Sequence, residues 1–171
     1  DFILNPEFMH KAADRYMKAC ISRAKQYESL GLVSSNNGNV LVGQGGLGYT
    51  SDLPAPTKSG IGGRLCDNWG DGADQIFTSV SPGMTREFAI DHEVEWANLF
   101  GLMYYGCCDR LDHKISELKA FKNLRKVSMS PYAHLEAGME ELGSEFVVSF
   151  KPNSNYLAAP TWDRELSRKE L

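Results

Sequence analysis

Two adjacent thiols followed by a carboxylate, Cys107-Cys108-Asp109, form the stretch of this sequence that is best suited to chemistry. A cysteine thiolate is both a nucleophile and a metal ligand, and a helix N-terminus beside the thiol favours its ionised form. The apolar run 101–105 predicts a buried strand before these residues, and the apolar spacing in 111–121 predicts a helix after them. Asp109 is placed to cap this helix through its carboxylate. Cys107, Cys108 and Asp109 are therefore our candidate catalytic residues, and the two thiols are also candidate metal ligands.

The elements that would position these thiols form a repeat of strand, short loop and helix. We predict strands at 102–106, 124–129 and 145–150, helices at 111–121 and 132–142, and a terminal helix after the last strand. This alternation is typical of a parallel sheet in an α/β fold. Right-handed crossovers place the carboxyl ends of such strands at one edge, where ligands bind. Ser130, Lys151 and Asn153 follow predicted strands, so we expect them at this edge with the thiols.

The first half of the chain is less regular. Asn5 and Pro6 predict the start of a helix, and its apolar face continues to Gly31. We further predict a short strand at 40–42, an irregular loop at 50–72, a strand at 75–80 and a helix at 81–100. A loop of this length is usually a functional cover or a disordered segment.

The predicted helix at 81–100 carries Asp91, His92 and Glu95 on neighbouring faces. Such residues invite a metal or acid–base interpretation. We expect a solvated face instead, because strand ends rather than helix middles carry the chemistry in folds of this kind.

The composition is that of an ordinary globular domain. The chain has 171 residues, 42% hydrophobic residues, 23% charged residues and a formal net charge of −4. This balance gives no indication of a nucleic acid or an anionic membrane as partner. The sequence contains no apolar run of the roughly 18 residues that a membrane helix needs. Its four cysteines do not form a secreted disulfide framework, so we expect a reducing, cytoplasmic location.

We expect 1–171 to be a single domain that is a fragment of a longer barrel protein. The sequence opens without methionine, and 164–171 has the pattern of a helix in progress. A closed (β/α)8 barrel needs about 200 residues or more. The missing strands would belong to other sequence, or the sheet would be open and doubly wound. An isolated part of a barrel should associate with itself, or with the remainder of the barrel, through its exposed edges.

Four stretches of the chain carry a resemblance to a known family. They are Gly45–Thr50, Val80-Ser81-Pro82, Tyr104–Cys108 and Phe150–Asn153. In these stretches the chain resembles the uroporphyrinogen decarboxylase superfamily, which includes the decarboxylase of haem biosynthesis and the corrinoid-dependent methyltransferases. It looks closest to an uncharacterised branch that keeps the run Tyr-Tyr-Gly-Cys-Cys. The resemblance implies the C-terminal part of a (β/α)8 TIM-type barrel.

The resemblance implies two activities. The first is a methyl or alkyl transfer at a thiolate or zinc–thiolate site, with a corrinoid protein as the methyl donor. The methyltransferase branch binds zinc through His-x-Cys and a later cysteine, whereas here Tyr105 stands two residues before Cys107. The second activity is the decarboxylation of a carboxylated tetrapyrrole or another small acid. A third interpretation is a non-catalytic binding module in which the thiols are packing residues.

A substrate at the mouth of such a barrel would need cationic, hydrogen-bonding and stacking groups. Lys151 is the cation that the sequence places there. Our candidate substrate-binding residues are Asn37, Tyr49, Tyr105, Ser130, Lys151 and Asn153.

Overall fold

Four parallel strands form one sheet in the computed structural model, which describes residues 2–44, 46–56 and 63–170. The strands are β1 (Trp69–Gly72), β2 (Leu102–Tyr105), β3 (Leu124–Met129) and β4 (Val147–Phe150). They lie in the order β1-β2-β3-β4, and every neighbouring pair is parallel. The expected α/β class, with parallel strands alternating with helices, is confirmed. The four strands form an open sheet, and the described residues contain no closed barrel.

Helices precede the sheet and connect its successive strands. They are α1 (Pro6–Ser29), α2 (Pro82–Thr85), α3 (Asp91–Ala97), α4 (Ile115–Leu118), α5 (Leu135–Leu142), α6 (Asn155–Ala158) and α7 (Arg164–Glu170). A π-helical turn, Arg86–Ile90, joins α2 to α3 in one helical run between β1 and β2. Within the described ranges, no helix combines the length and the apolar character that a membrane crossing requires.

Helix α1 forms where the sequence predicts it, but Asn5 makes no side-chain cap hydrogen bond, and part of the predicted apolar face is exposed. Pro6 occupies the first turn, where its missing N–H costs nothing, and Gly31 after the helix has φ +67°. Met17, Ile21 and Ala24 are buried at helical spacing, and α1 packs mainly against α3 and the π-helical turn. The predicted N-terminal helix is therefore confirmed.

The two faces of the sheet have different covers. On one face, Met103 and Val127 belong to the main apolar core, which Ile115 and Leu118 of α4 complete. On the other face, Trp69 and Tyr104 pack against Val42 and Leu53, which belong to the irregular segment before β1. We call these the helix face and the loop face of the sheet. Because successive residues of a strand point to opposite faces, each strand contributes to both.

Strand β1 lies where the sequence predicted an irregular loop. The predicted loop 50–72 includes all of β1, and the predicted strand at 75–80 begins instead with a 3₁₀ turn, Gln75–Phe77. The loop prediction was wrong because the glycines of β1 hide the apolar alternation that indicates a strand. At 75–80 the alternation is present, but the backbone forms turns instead, with Phe77 N donating to Asp74 O at 2.8 Å. Packing favours glycine at position 70, since an added Cβ would lie 2.3 Å from Cδ2 of Phe100.

Other predicted elements are shorter in the structure. The predicted strand 40–42 is reduced to a single antiparallel bridge between Leu41 and Leu47. Helix α4 begins at Ile115 because the residues before it form turns, in which Lys114 N donates to Leu111 O at 2.9 Å. Asp109 therefore does not cap α4, which corrects the sequence-based expectation.

Candidate functional site

The carboxyl ends of three strands bring together residues that are distant in the sequence. Cys107 follows β2, Ser130 follows β3 and Lys151 follows β4, and all three strands run in the same direction. Gly106 makes the turn between β2 and Cys107. Its φ is +106°, and its N–H donates to Gly72 O at 2.8 Å. A left-handed backbone of this kind strongly favours glycine.

Lys151 lies at the centre of a polar cluster on the loop face at this edge. Its ammonium donates to the hydroxyl of Tyr104 at 2.9 Å and to Oγ of Ser128. Ser128 Oγ in turn donates to the carbonyl oxygen of Cys107 at 2.7 Å. We call Tyr104, Ser128, Lys151 and the Cys107 carbonyl the Lys151 cluster. Tyr104 and Ser128 are fully buried, so the strands hold the partners of the ammonium in place.

The Lys151 ammonium carries a charge that its neighbours do not neutralise. Its hydrogen-bond partners named above are neutral hydroxyls, and Lys151 forms no ion pair with any described residue. Ammonium groups commonly bind carboxylates and phosphates as compact point charges. The cluster can therefore bind an anion at the carboxyl edge.

A second lysine on the loop face has a structural role. Lys126 is buried, donates to Leu47 O at 2.7 Å and lies 4.8 Å from the ring centroid of Trp69. Burial lowers the pKa of its ammonium. Lys126 therefore fastens the covering segment to the sheet through this hydrogen bond and the ring contact.

The two thiols lie side by side at the carboxyl edge. Their sulfur atoms are 3.4 Å apart, with Cys108 exposed and Cys107 half-buried. Burial is the main cause that raises the pKa of the Cys107 thiol, and its hydrogen bond with Cys108 raises it further, whereas the charge of Lys151 acts in the opposite direction. The expectation of a Cys107 thiol favoured as thiolate is therefore wrong. Cys107 nevertheless lies near Lys151, since Ser128 Oγ donates to the Cys107 carbonyl oxygen and accepts from the Lys151 ammonium.

Asp109 and Tyr105 lie close to this edge but take other positions. Asp109 is buried, and its Oδ1 is 3.5 Å from the backbone nitrogen of Cys107. Tyr105 points to the helix face, where its hydroxyl donates to Oδ2 of Asp74. Burial, followed by the nearby carboxylates, raises the pKa of the Tyr105 phenol well above its usual range.

Two of the predicted substrate-binding residues are used locally at the edge. Ser130 is fully buried, and its Oγ accepts a hydrogen bond from Tyr132 N at 3.3 Å. Asn153 is half-buried, and its Oδ1 accepts from Asn155 N at 3.1 Å. Both help to shape the turns after β3 and β4.

Asn37 and Tyr49 are not brought together with the Lys151 cluster. The buried amide of Asn37 donates to two backbone carbonyls, of Leu53 and Pro54, and accepts from Thr50 N at 3.0 Å, so it holds the covering segment. Tyr49 is 65% exposed. It lines a small cavity together with Trp69, Arg125, Lys126 and Val147, which belong to the amino-terminal ends of the strands.

Tyr104 and Ser128 are site residues that the sequence analysis missed. Both lie inside strands and were interpreted as strand residues without a role. Ser128 offered a signal, because a small polar residue between Val127 and Met129 interrupts a buried strand. Polar side chains at such positions normally have a hydrogen-bond partner.

The described residues do not by themselves complete a zinc site. Cys107 and Cys108 supply two thiols, whereas zinc in proteins takes four ligands in a structural site and three protein ligands in a catalytic one. Among the described residues, no three side chains of histidine, cysteine, aspartate or glutamate lie close enough together to hold a metal ion.

Comparison of the chain with protein-family models, with curated proteins and with solved structures finds no match.

Proposed function

We propose that this chain is part of an enzyme of the uroporphyrinogen decarboxylase type, which releases CO2 from a small molecule with several carboxylates. The order of the strands supports the barrel, because each strand is parallel to the next one in the sequence, as in consecutive strands of a (β/α)8 barrel. The observation that carries the proposal is the Lys151 ammonium at the carboxyl edge, which has two neutral hydroxyls as partners.

The positive charge of Lys151 determines which carboxylate of the substrate it can usefully bind. An ammonium paired with the leaving carboxylate would stabilise the ground state more than the transition state, in which that charge is dispersed. Lys151 therefore binds a carboxylate that does not react, with Tyr104 and Ser128 fixing the direction of its N–H groups. The substrate consequently has at least two carboxylates, as a carboxylated tetrapyrrole does.

Cys107 supplies the proton that decarboxylation requires. When the bond between carbon and the leaving carboxylate breaks, CO2 departs and the electron pair remains on the substrate carbon. The raised pKa of Cys107 keeps its thiol protonated at neutral pH, close to the ligand held by Lys151. The thiol protonates the carbon and becomes a thiolate. Water then returns a proton to the thiolate, and the hydroxide that remains combines with CO2 as bicarbonate.

Methyl or alkyl transfer is the second candidate, and the pair of adjacent sulfur atoms favours it. The exposed Cys108 would accept a methyl group from a corrinoid protein, forming a thioether and losing its proton to solvent, while the methyl–cobalt bond of the donor breaks and leaves its electron pair on cobalt. We derive no step through zinc, because the described residues do not by themselves complete a site for that ion.

The proposal is tested by titrating the chain with tricarballylate and with coproporphyrin. We expect Lys151→Met to weaken the binding of both acids by about tenfold or more, since it removes a charge-assisted hydrogen bond. Lys122→Met is the matched control, because Lys122 is exposed and its loss changes the net charge equally. Lys151→Arg should retain part of the affinity, and the unfolding midpoint of each variant shows that it is folded.

The outcome separates the candidate functions. Equal effects of Lys151→Met and Lys122→Met, or no binding of either acid, would refute the proposed site. Release of CO2 from a bound acid, reduced in Cys107→Ser, supports the lyase. A methyl group gained by Cys108 from methylcobalamin supports transfer. Binding without either reaction leaves a binding module.

A further inference from the structure

A cavity on the helix side of the sheet takes no part in the proposed reaction. Its volume is about 290 Å³, and it lies between α1, the segment that follows β1 and the helical run that ends in α3. Its walls are mostly apolar and include Met9, Met17, Phe77 and Phe88. A second cavity of about 520 Å³ adjoins it, since Tyr16, Met17, Asp74, Ile76 and Glu93 line both.

Two carboxyl groups, of Asp74 and Glu93, face this apolar space. Asp74 accepts a hydrogen bond from Tyr105, which holds it in place. Glu93 Oε2 is buried and has no hydrogen-bond partner among the described residues. Burying a polar atom without a partner costs free energy, so such an atom in a native site calls for an explanation.

The electrostatic surroundings of Glu93 are acidic. Burial, followed by the charge of Asp74 and then that of Asp71, raises the pKa of Glu93 to about 8, although a hydrogen bond with Tyr105 acts in the opposite direction. Burial also raises the pKa of Asp74, while its hydrogen bond with Tyr105 and the charge of Lys114 act in the opposite direction. The other titratable groups around Glu93 are Tyr16 and Arg23 of α1, Asp71 at the end of β1, Tyr105 of β2, and His92 beside it on α3.

Two of the basic groups nearby, His92 and Lys114, have partners of their own. His92 is hydrogen-bonded to Asp14 at 2.7 Å and to His10 at 3.0 Å. The buried ammonium of Lys114 donates to Phe77 O at 2.7 Å. Neither donates to Glu93 Oε2, and the exposed Arg23, which lines the adjoining cavity, forms no ion pair with Glu93 in the part of the chain that the structure describes. The cavity therefore offers two carboxyl groups to a cation from outside the chain.

We propose that this cavity binds a small primary ammonium compound with an apolar or aromatic body. The ammonium lies between Asp74 and Glu93 and donates a hydrogen bond to Glu93 Oε2. The apolar body lies against Phe77 and Phe88, whose rings also attract a cation. A mostly apolar cavity with a few convergent polar groups is typical of a small-molecule site.

The test uses benzylamine as the probe, with benzyl alcohol as its uncharged analogue, in calorimetric titrations of the whole chain. We expect benzylamine to bind and benzyl alcohol to bind at least about tenfold more weakly, because an ammonium–carboxylate hydrogen bond is the stronger kind. Glu93→Gln should weaken benzylamine binding by a similar factor. Glu95→Gln is the matched control, since Glu95 is exposed on the same helix, and it should leave the affinity unchanged.

Proton release gives an independent measurement. At pH 7 the carboxyl of Glu93 is mostly protonated, because its pKa is about 8. The bound ammonium favours the carboxylate, so binding should release protons, and the measured heat should depend on the ionisation enthalpy of the buffer. Affinity should rise from pH 6.5 to 8.5, a range in which benzylamine stays mostly protonated, and should rise less in Glu93→Gln.

Three results would overturn the proposal. They are equal affinity for benzylamine and benzyl alcohol, equal effects of Glu93→Gln and Glu95→Gln, and no binding of benzylamine at millimolar concentration. Asp74→Asn is a second variant with the same expected loss of affinity. It keeps the test decisive if Glu93→Gln is poorly folded.

Discussion

At the scale of single residues, Lys151 and Glu93 are two charged groups that meet different surroundings. Lys151 lies among hydroxyls, and those of Tyr104 and Ser128 accept its N–H groups. Glu93 has apolar walls and other carboxyls around it, so its neutral form is favoured at pH 7. Lys151 can therefore bind an anion, and Glu93 can lose its proton when a cation binds beside it.

The raised pKa of Glu93 should make stability depend on pH. Its pKa is about 8 in the folded chain, above the ordinary value of 4.5. Between these two values the unfolded chain has lost the proton that the folded chain keeps, so stability should fall as pH rises from about 5 to 8. The loss is on the order of 4 kcal/mol at most, since each pKa unit corresponds to about 1.4 kcal/mol.

Glu93→Gln should remove most of this loss. Urea unfolding at pH 5 and pH 8 measures the free energy of unfolding of the wild type, of Glu93→Gln and of the control Glu95→Gln. We expect the wild type and the control to lose stability in parallel, and Glu93→Gln to lose less. The same pH dependence in all three proteins would contradict the assignment.

At the scale of elements, the turn after β2 determines where Cys107 lies. Gly106 has φ +106°, and a Cβ added there would lie 2.4 Å from Cδ1 of Leu111 and 2.9 Å from Cβ of Ser128. Ser128 belongs to the Lys151 cluster, and Leu111 belongs to the main apolar core. A side chain at this position would therefore strain the backbone and push on the site.

Gly106→Ala should lower the free energy of unfolding by about 2 kcal/mol or more, from overpacking and an unfavourable φ. Gly83→Ala is the control, because Gly83 lies in α2 and a Cβ there meets nothing within 4 Å. It should be neutral or stabilise the chain by up to about 1 kcal/mol. Urea unfolding of both variants checks this, and equal stabilities would disprove the role given to the turn.

At the scale of the whole molecule, the strands and helices differ in how much of their surface is buried. β2 and β3 each pair with a strand on both sides, and both of their faces contact other parts of the chain. Helix α7 is exposed over most of its described side chains. Regions with few buried contacts open at lower free-energy cost than the core.

Hydrogen exchange should follow this order. We expect the amides of β2 and β3 to exchange slowest and those of α7 fastest, as measured by mass spectrometry of peptic peptides. Helix α1 should be intermediate, because one face packs against α3 while the other is exposed. If the amides of α7 exchanged as slowly as those of β3, the prediction would be wrong, and α7 would have to pack against another surface.

The sequence by itself determined the alternation of strands and helices from β2 onward. It also placed Cys107, Ser130 and Lys151 at one edge. These predictions depend on local apolar spacing and on the common direction of parallel strands, and both can be read along the chain. The sequence failed at β1, because Gly70 and Gly72 give no apolar signal, and the reason for a glycine at position 70 is the distant Phe100.

Only the tertiary structure decided which neighbours each polar side chain meets. Alternation already places Tyr104 and Tyr105 on opposite faces, but the partner of each, Lys151 for one and Asp74 for the other, comes from a different part of the chain. Glu93 lies at helical spacing from the buried Ala89 and Ala97, which was a readable sign of burial. Its pKa depends on α1 and β1 closing around it, because desolvation arises from atoms that are distant in sequence and close in space.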